Sequence, residues 1–147
     1  MPLSRTTEAG IRHDAVNAVN AALAMEKEMI RLNTRMQEQR LPMLKMRVGI
    51  YTGPVVAGSL GSADRLKYTT IGDTVNTASR LESFDKDLVL PHLETSPCRI
   101  IIGDSTLRFL GDQFQTQRVG ELNLKGKEEK ITAHCVIGRA EESVSHA

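Results

Sequence analysis

Tyr68-Thr69-Thr70-Ile71-Gly72-Asp73-Thr74-Val75-Asn76-Thr77-Ala78-Ser79-Arg80-Leu81-Glu82 passes from a β-forming stretch through a glycine into a helical one. Leu66 to Ile71 alternates and carries Tyr and Thr, which predicts a strand. After Gly72, either Asp73 or Thr74 can cap a helix that runs through about Ser83, with Val75, Ala78, Ser79 and Leu81 to Glu82 as its buried face. Asn76 and Arg80 are one helical turn apart and so project from the same side. Just upstream, Met43 to Val56 mixes Met46, Val48, Ile50, Val55 and Val56 with Gly49, Gly53 and Pro54, and reads as two short strands joined in a hairpin at Thr52-Gly53-Pro54, with Gly58 to Ser62 as a flexible connection.

Further out, Thr7 to Gln39 contains no Pro, and Ala15, Ala18, Ala22, Met25, Met29, Leu32 and Met36 recur at steps of three and four. That stripe predicts one face of a long amphipathic helix, capped by Thr6 or Thr7, with Glu8 and Asp14 near its positive end and Leu41-Pro42 as its stop. On the other side, Phe84 to Pro97 has no clean period and reads as a loop. Cys98 to Ile102 is a buried strand, and Asp104 caps a short helix to Leu110. Phe114 to Leu124 and Lys130 to Ile137 form a final strand pair around Lys125-Gly126-Lys127, and Ala140 to Ala147 is a frayed tail. The class is α/β or α+β, with a mostly antiparallel sheet favoured by the hairpins.

The composition narrows the partners. A chain of 147 residues is long enough for one domain with its own core. Its 19 basic and 18 acidic residues give no electrostatic reason for nucleic acid or an anionic membrane as main partner. With two Tyr, three Phe and no Trp there is no stacking platform for single strands. No window approaches the length of a membrane span, and the N-terminus carries no apolar signal region. Cys98 and Cys135 lie far apart without zinc spacing, which fits a reduced, cytoplasmic setting.

Generic site motifs fail. Gly53 to Gly58 has phosphate-loop glycine spacing, but Ser59-Leu60 stands where Lys and Ser/Thr are required. Asp85-Lys86-Asp87 starts like a calcium loop, yet Leu90 replaces the turn glycine and Ser96 the closing glutamate. His13, His92, His134 and His146 are scattered and read as surface or strand residues.

Two segments remain. Met46 to Gly58 and Tyr68 to Glu82 resemble consecutive signature blocks of class III adenylyl and guanylyl cyclases, and Glu121 to Lys130 resembles that family's closing phosphate-contacting hairpin. The resemblance implies an α+β fold: a ferredoxin-like cyclase sheet with flanking helices. Residues 1–139 would form a partial catalytic domain and 140–147 a disordered tail. It also implies roles. Thr69 would read the adenine amino group, Asn76 orient the ribose, Arg80 stabilise charge on the α-phosphate, and Lys125 grip the terminal phosphates. Thr70 is the alternative to Thr69 by a one-residue register slip, and Lys127 and Lys130 are alternatives to Lys125. The bland alternative for Arg80 is an ion pair with Glu82 or Asp85, and for Asn76 a bond to its own helix backbone.

The implied reaction is attack of the ribose 3′-oxygen on the α-phosphorus of ATP with pyrophosphate leaving. Such a reaction needs positioning and charge neutralisation, which the fixed fork of an arginine supplies. The family uses two Mg or Mn ions, held by aspartates in a Phe-x-Asp-Ile-x-Gly-Phe-like block and a later Gly-Asp hairpin. Neither block occurs here, nor does the adenine-contacting lysine. Pro2-Leu3-Ser4-Arg5 is similar to the residues just after that hairpin, so the resemblance implies a chain that begins in mid-domain, lacking the N-terminal strand and the metal-binding hairpin. Asp73 and Asp64 read as structural or solvated rather than as replacements. The expected partners are therefore ATP and a second cyclase domain, at the cytoplasmic end of a membrane-anchored sensor or free of one. The competing readings are a non-catalytic dimerisation or nucleotide-binding module, and a guanylate cyclase.

Overall fold

Thr7 is extended (φ −87°, ψ 149°) and its hydroxyl accepts from the Gly10 amide at 3.1 Å, which closes one orphan donor of the long helix that follows. A computed structural model describes residues 7–55, 73–124 and 129–140. Their elements in chain order are α1 (Glu8–Glu38), β1 (Met46–Ile50), α2 (Asp73–Glu82), α3 (Pro91–Thr95), β2 (Cys98–Gly103), α4 (Asp104–Leu110), β3 (Phe114–Asn123) and β4 (Lys130–Arg139).

Helix α1 stops before Leu41-Pro42. Arg40 turns left-handed (φ 57°), its amide donates to Gln37 O at 3.0 Å, and the Leu41 amide donates to Met36 O at 2.8 Å. That is a Schellman closure with arginine where glycine is usual. The packing face of α1 is rotated from the expected stripe. Ala15, Val19, Ala22, Leu23 and Asn33 are buried, whereas Met25 is 43% exposed. The reason is that polar residues occupy core-facing positions with partners of their own. Asn33 clasps the Leu44 backbone from both sides, at 2.8 and 2.7 Å, and Glu26 accepts from Ser96 Oγ and faces His92 Nε2 at 3.4 Å. A stripe drawn through apolar residues alone skips such positions.

The sheet order is β1-β2-β4-β3. β1 runs parallel to β2, from Met46 opposite Cys98 to Ile50 opposite Ile102. The β2–β4 and β3–β4 pairings are antiparallel, and β3 carries register shifts at Gln115/Thr116 and Arg118/Gly120. Of the hairpin expected at Thr52-Gly53-Pro54, the first strand is present as β1, which takes β2 as a parallel neighbour, Tyr51 to Val55 lie outside any described strand, and the second arm from Val56 lies outside the described residues. Every residue of β2 is buried, and a strand covered on both faces suits a parallel neighbour. The expected strand Leu66 to Ile71 lies outside the described residues.

Side-chain alternation splits the core in two. Ile100 and Ile102 join Val19, Ala22, Leu110 and Val136 beneath α1 and α4, while Ile101 joins Leu81, Leu90, Ala133 and Cys135 on the α2 side. Two smaller corrections concern helix starts. Pro91, read as loop, opens the single turn of α3, because proline at the first helical position has no donor to lose. Gly103 rather than Asp104 caps α4; Asp104 is the first helical residue, and its carboxylate accepts from the Ser105 amide at 3.0 Å. The expected tail beyond Ala140 lies outside the described residues.

Candidate functional site

The segment Asp73–Glu82 forms α2 as expected, but its inward face is Thr74, Thr77 and Leu81, and Val75 is 48% exposed. The seat explains the rotation. A Cβ on Gly49 of β1 would collide with the Ala78 carbonyl and stand 2.5 Å from the Glu82 amide nitrogen, so the α2 backbone itself rests on the strand. Close approach of backbone to backbone selects the face that carries Thr74, Thr77 and Leu81 and leaves Val75 outside.

The start of α2 is fixed at the C-terminal end of β1. A Cβ on Gly53 would lie 2.6 Å from Thr74 Oγ1. The Thr52 hydroxyl shares a 2.9 Å hydrogen bond with Thr106, and Ser105 Oγ donates to Thr52 O at 2.7 Å, tying this turn to the first residues of α4. At its other end, Glu82 meets Arg47 at 3.6 Å, and three carbonyls of the α2 terminus and the turn after it accept from buried Arg99. Burial, and next the charge of Arg47, lower the pKa of Arg99.

On the outward side of this anchored helix stand two of the four residues singled out in the sequence. Asn76 is exposed and Arg80 is partly exposed. Among the described residues neither has a hydrogen-bond or ion-pair partner. The carboxylates that could have neutralised Arg80 are engaged elsewhere: Glu82 with Arg47 and Ser83, Asp85 with the Asp87 amide. An amide and a guanidinium one turn apart on a fixed helix, both without partners among the described residues, can bind a sugar hydroxyl and a phosphate together. Thr69, Lys125 and Asp64 lie outside the described residues, and Asp73 is described only as the backbone start of α2.

Other groups are poor candidates for chemistry. Burial pushes the thiols of Cys98 and Cys135 up to about 11, so both are neutral at ordinary pH and disfavoured as nucleophiles or metal ligands. Burial lowers the pKa of His134 in β4. A cleft of about 220 Å³ lined by Ile30, Asn33, Met43, Leu44 and Pro97 lies at the N-terminal end of β1, the opposite end from Thr74. Among the described residues no three His, Cys, Asp or Glu side chains come together as a metal site. No helix among them is long and apolar enough to cross a membrane. Arg99 is the residue that motif reading missed. Its signal was present, since a charge inside the otherwise apolar run Cys98-Arg99-Ile100-Ile101-Ile102 must find partners within the fold.

Comparison with known proteins bears on the same segments. Residues 4–138 match the family profile described as adenylate and guanylate cyclase catalytic domain. The chain is 35% identical over 130 residues, 88% of its length and 18% of the relative's, to adenylate cyclase 1 of Rhizobium meliloti (strain 1021). It is 36% identical over 126 residues, 83% of its length and 10% of the relative's, to guanylate cyclase 2G of Rattus norvegicus. Its fold is similar to the crystal structure of the adenylyl cyclase CyaB from P. aeruginosa, with a TM-score of 0.67 and 31% identity over 86% of this chain and 60% of that one. The chain therefore spans less than a fifth of the length of these two curated relatives.

Proposed function

Because the chain belongs to the adenylate and guanylate cyclase catalytic domain family, we propose that it is the C-terminal part of an adenylate cyclase domain. In this reading it helps convert ATP to 3′,5′-cyclic AMP and pyrophosphate at an active site shared across a dimer. One observation carries the proposal: Asn76 and Arg80 stand side by side on the outer surface of α2, without partners among the described residues, while the helix beneath them is pinned to the sheet. An arginine with no counter-ion among the described residues, beside an amide, suits an anion that arrives from outside.

The roles follow from the chemistry of the side chains. Arg80 holds two non-bridging α-phosphate oxygens through parallel N–H donors, and these bonds strengthen as negative charge grows in the transition state. Asn76 bonds the ribose and keeps its 3′-oxygen in line with phosphorus. Thr69 reads the adenine edge and Lys125 neutralises the departing pyrophosphate. The described carboxylates do not assemble a set that fits two Mg or Mn ions. A second cyclase domain would supply that part of the site.

A mixing experiment tests the reading. The chain is combined with a cyclase domain that carries the metal-binding aspartates, and cyclic AMP and cyclic GMP are measured by mass spectrometry with ATP and GTP in separate reactions. Cyclic AMP is expected only in the mixture, with ATP preferred over GTP about tenfold, the effect of one base-edge hydrogen bond. Turnover of GTP equal to or above that of ATP ends the adenylate assignment. Nucleotide binding without turnover in any pairing favours the non-catalytic module instead.

A further inference from the structure

The C-terminus of α2 ends against a buried positive charge. Arg99 sits inside β2 and is 7% exposed. Its Nη1 donates to Asp85 O at 2.6 Å, and its Nη2 donates to Glu82 O at 3.0 Å and to Phe84 O. These carbonyls belong to the last residue of α2 and to the reversal after it, where Asp85 is left-handed (φ 32°). A helix terminus leaves its final carbonyls without partners and carries partial negative charge, so a guanidinium fork satisfies both needs at once.

A simple stop did not require this solution. A left-handed residue at the terminus or an exposed lysine would close a helix, and α1 closes through Arg40 with no buried charge. Burying a guanidinium is unfavourable, and here its Nε has no partner among the described residues. What the arrangement adds is position. Gly49 sets how closely α2 approaches the sheet, but a glycine offers no barrier to sliding along the helix axis. Arg99 supplies one. It is anchored in a strand buried at every residue, and it bonds Glu82 O, two residues beyond Arg80. A slip of one residue along α2 would move every side chain by about 1.5 Å and turn it by about 100°.

We propose that Arg99 is a positioning residue for catalysis, fixing the axial and rotational setting of α2 so that Arg80 and Asn76 meet the nucleotide in reacting geometry. This deepens the cyclase assignment and rests on it. Arg99 does not touch substrate; it acts through the helix. A misplacement of about 1 Å at a phosphate clamp lowers the chemical step by roughly a hundredfold while ground-state binding, spread over many contacts, changes little.

The test uses the full chain paired with its complementing domain, and compares wild type, Arg99→Met and Arg99→Lys. Unfolding midpoints are recorded first, and kcat and KM for ATP are then measured well below the lowest midpoint. Arg99→Met is expected to lower kcat about tenfold to a hundredfold with KM within about threefold. Arg99→Lys, whose ammonium still reaches a carbonyl, is expected to recover part of that kcat. A role in stability alone would lower the midpoint and leave kcat per folded molecule unchanged, and that result overturns the proposal. If Arg99→Met does not fold, Arg99→Lys decides alone: reduced kcat in a folded variant supports positioning, wild-type kcat refutes it. An inactive wild-type pair is a separate outcome that removes the catalytic reading and this proposal with it.

Discussion

Replacing Arg80 by alanine in the assembled pair lowers kcat by roughly two to three orders of magnitude and leaves the chain's unfolding midpoint nearly unchanged. Both halves of the expectation come from the same geometry. Arg80 is partly exposed and has no partner among the described residues, so removing it leaves no described polar group stranded. Its positive charge, by contrast, would be used where negative charge accumulates on the α-phosphate. Arg80→Lys keeps the charge but loses the planar fork, and recovery of only a fraction of the activity is expected. Steady-state rates of cyclic AMP formation beside thermal unfolding curves make the check. Unimpaired turnover by the alanine variant would mean that the guanidinium does not meet the phosphate.

The second large effect is structural. Gly49→Ala is expected to destabilise the fold by about 2–4 kcal/mol, because the new methyl group meets backbone atoms of Ala78 and Glu82 that cannot rotate away. Domains of this size are stable by only about 5–15 kcal/mol, so the loss is visible as an earlier urea midpoint. Activity should fall further than stability, since α2 must lift from the strand that positions Asn76 and Arg80. Gly53→Ala is the contrast. Its methyl group meets the Thr74 side chain, whose hydroxyl can swing to another rotamer, and about 1 kcal/mol or less is expected. Equal effects at the two glycines would show that α2 is not seated on Gly49 by its backbone.

How far these features could be read from the chain depends on whether their causes are local. The Thr7 cap, the span of α2 and the β3–β4 pair follow from capping chemistry and short-range alternation, and the structure has them where expected. The face of α1 does not, because Glu26 and Asn33 occupy core-facing positions through contacts to Ser96 and to the Leu44 backbone. The parallel pairing of β1 with β2 is silent in local pattern, since nothing near Met46 names Cys98 as its neighbour. Val75 misled for a related reason: the tight seat at Gly49, together with the buried Leu81, decides which side of α2 turns inward. Of the candidate site, the spacing of Asn76 and Arg80 showed only that they share one side of α2; the roles proposed for them come from the family resemblance. Arg99 was visible only as an anomaly, a cation in an apolar strand.

The parallel pair also governs when this half of the molecule can form. The β3–β4 ladder joins strands close in sequence, with the Leu124 amide reaching Glu129 O at 3.4 Å, and can zip up early. β1 must instead find β2 across roughly fifty residues, and that loop-closure entropy is recovered only when α2 comes to rest on both strands. The helix bearing Asn76 and Arg80 is therefore expected to be the late-ordering, early-opening part of the chain. In native-state hydrogen exchange, its amides should lose protection before those of the β3–β4 ladder.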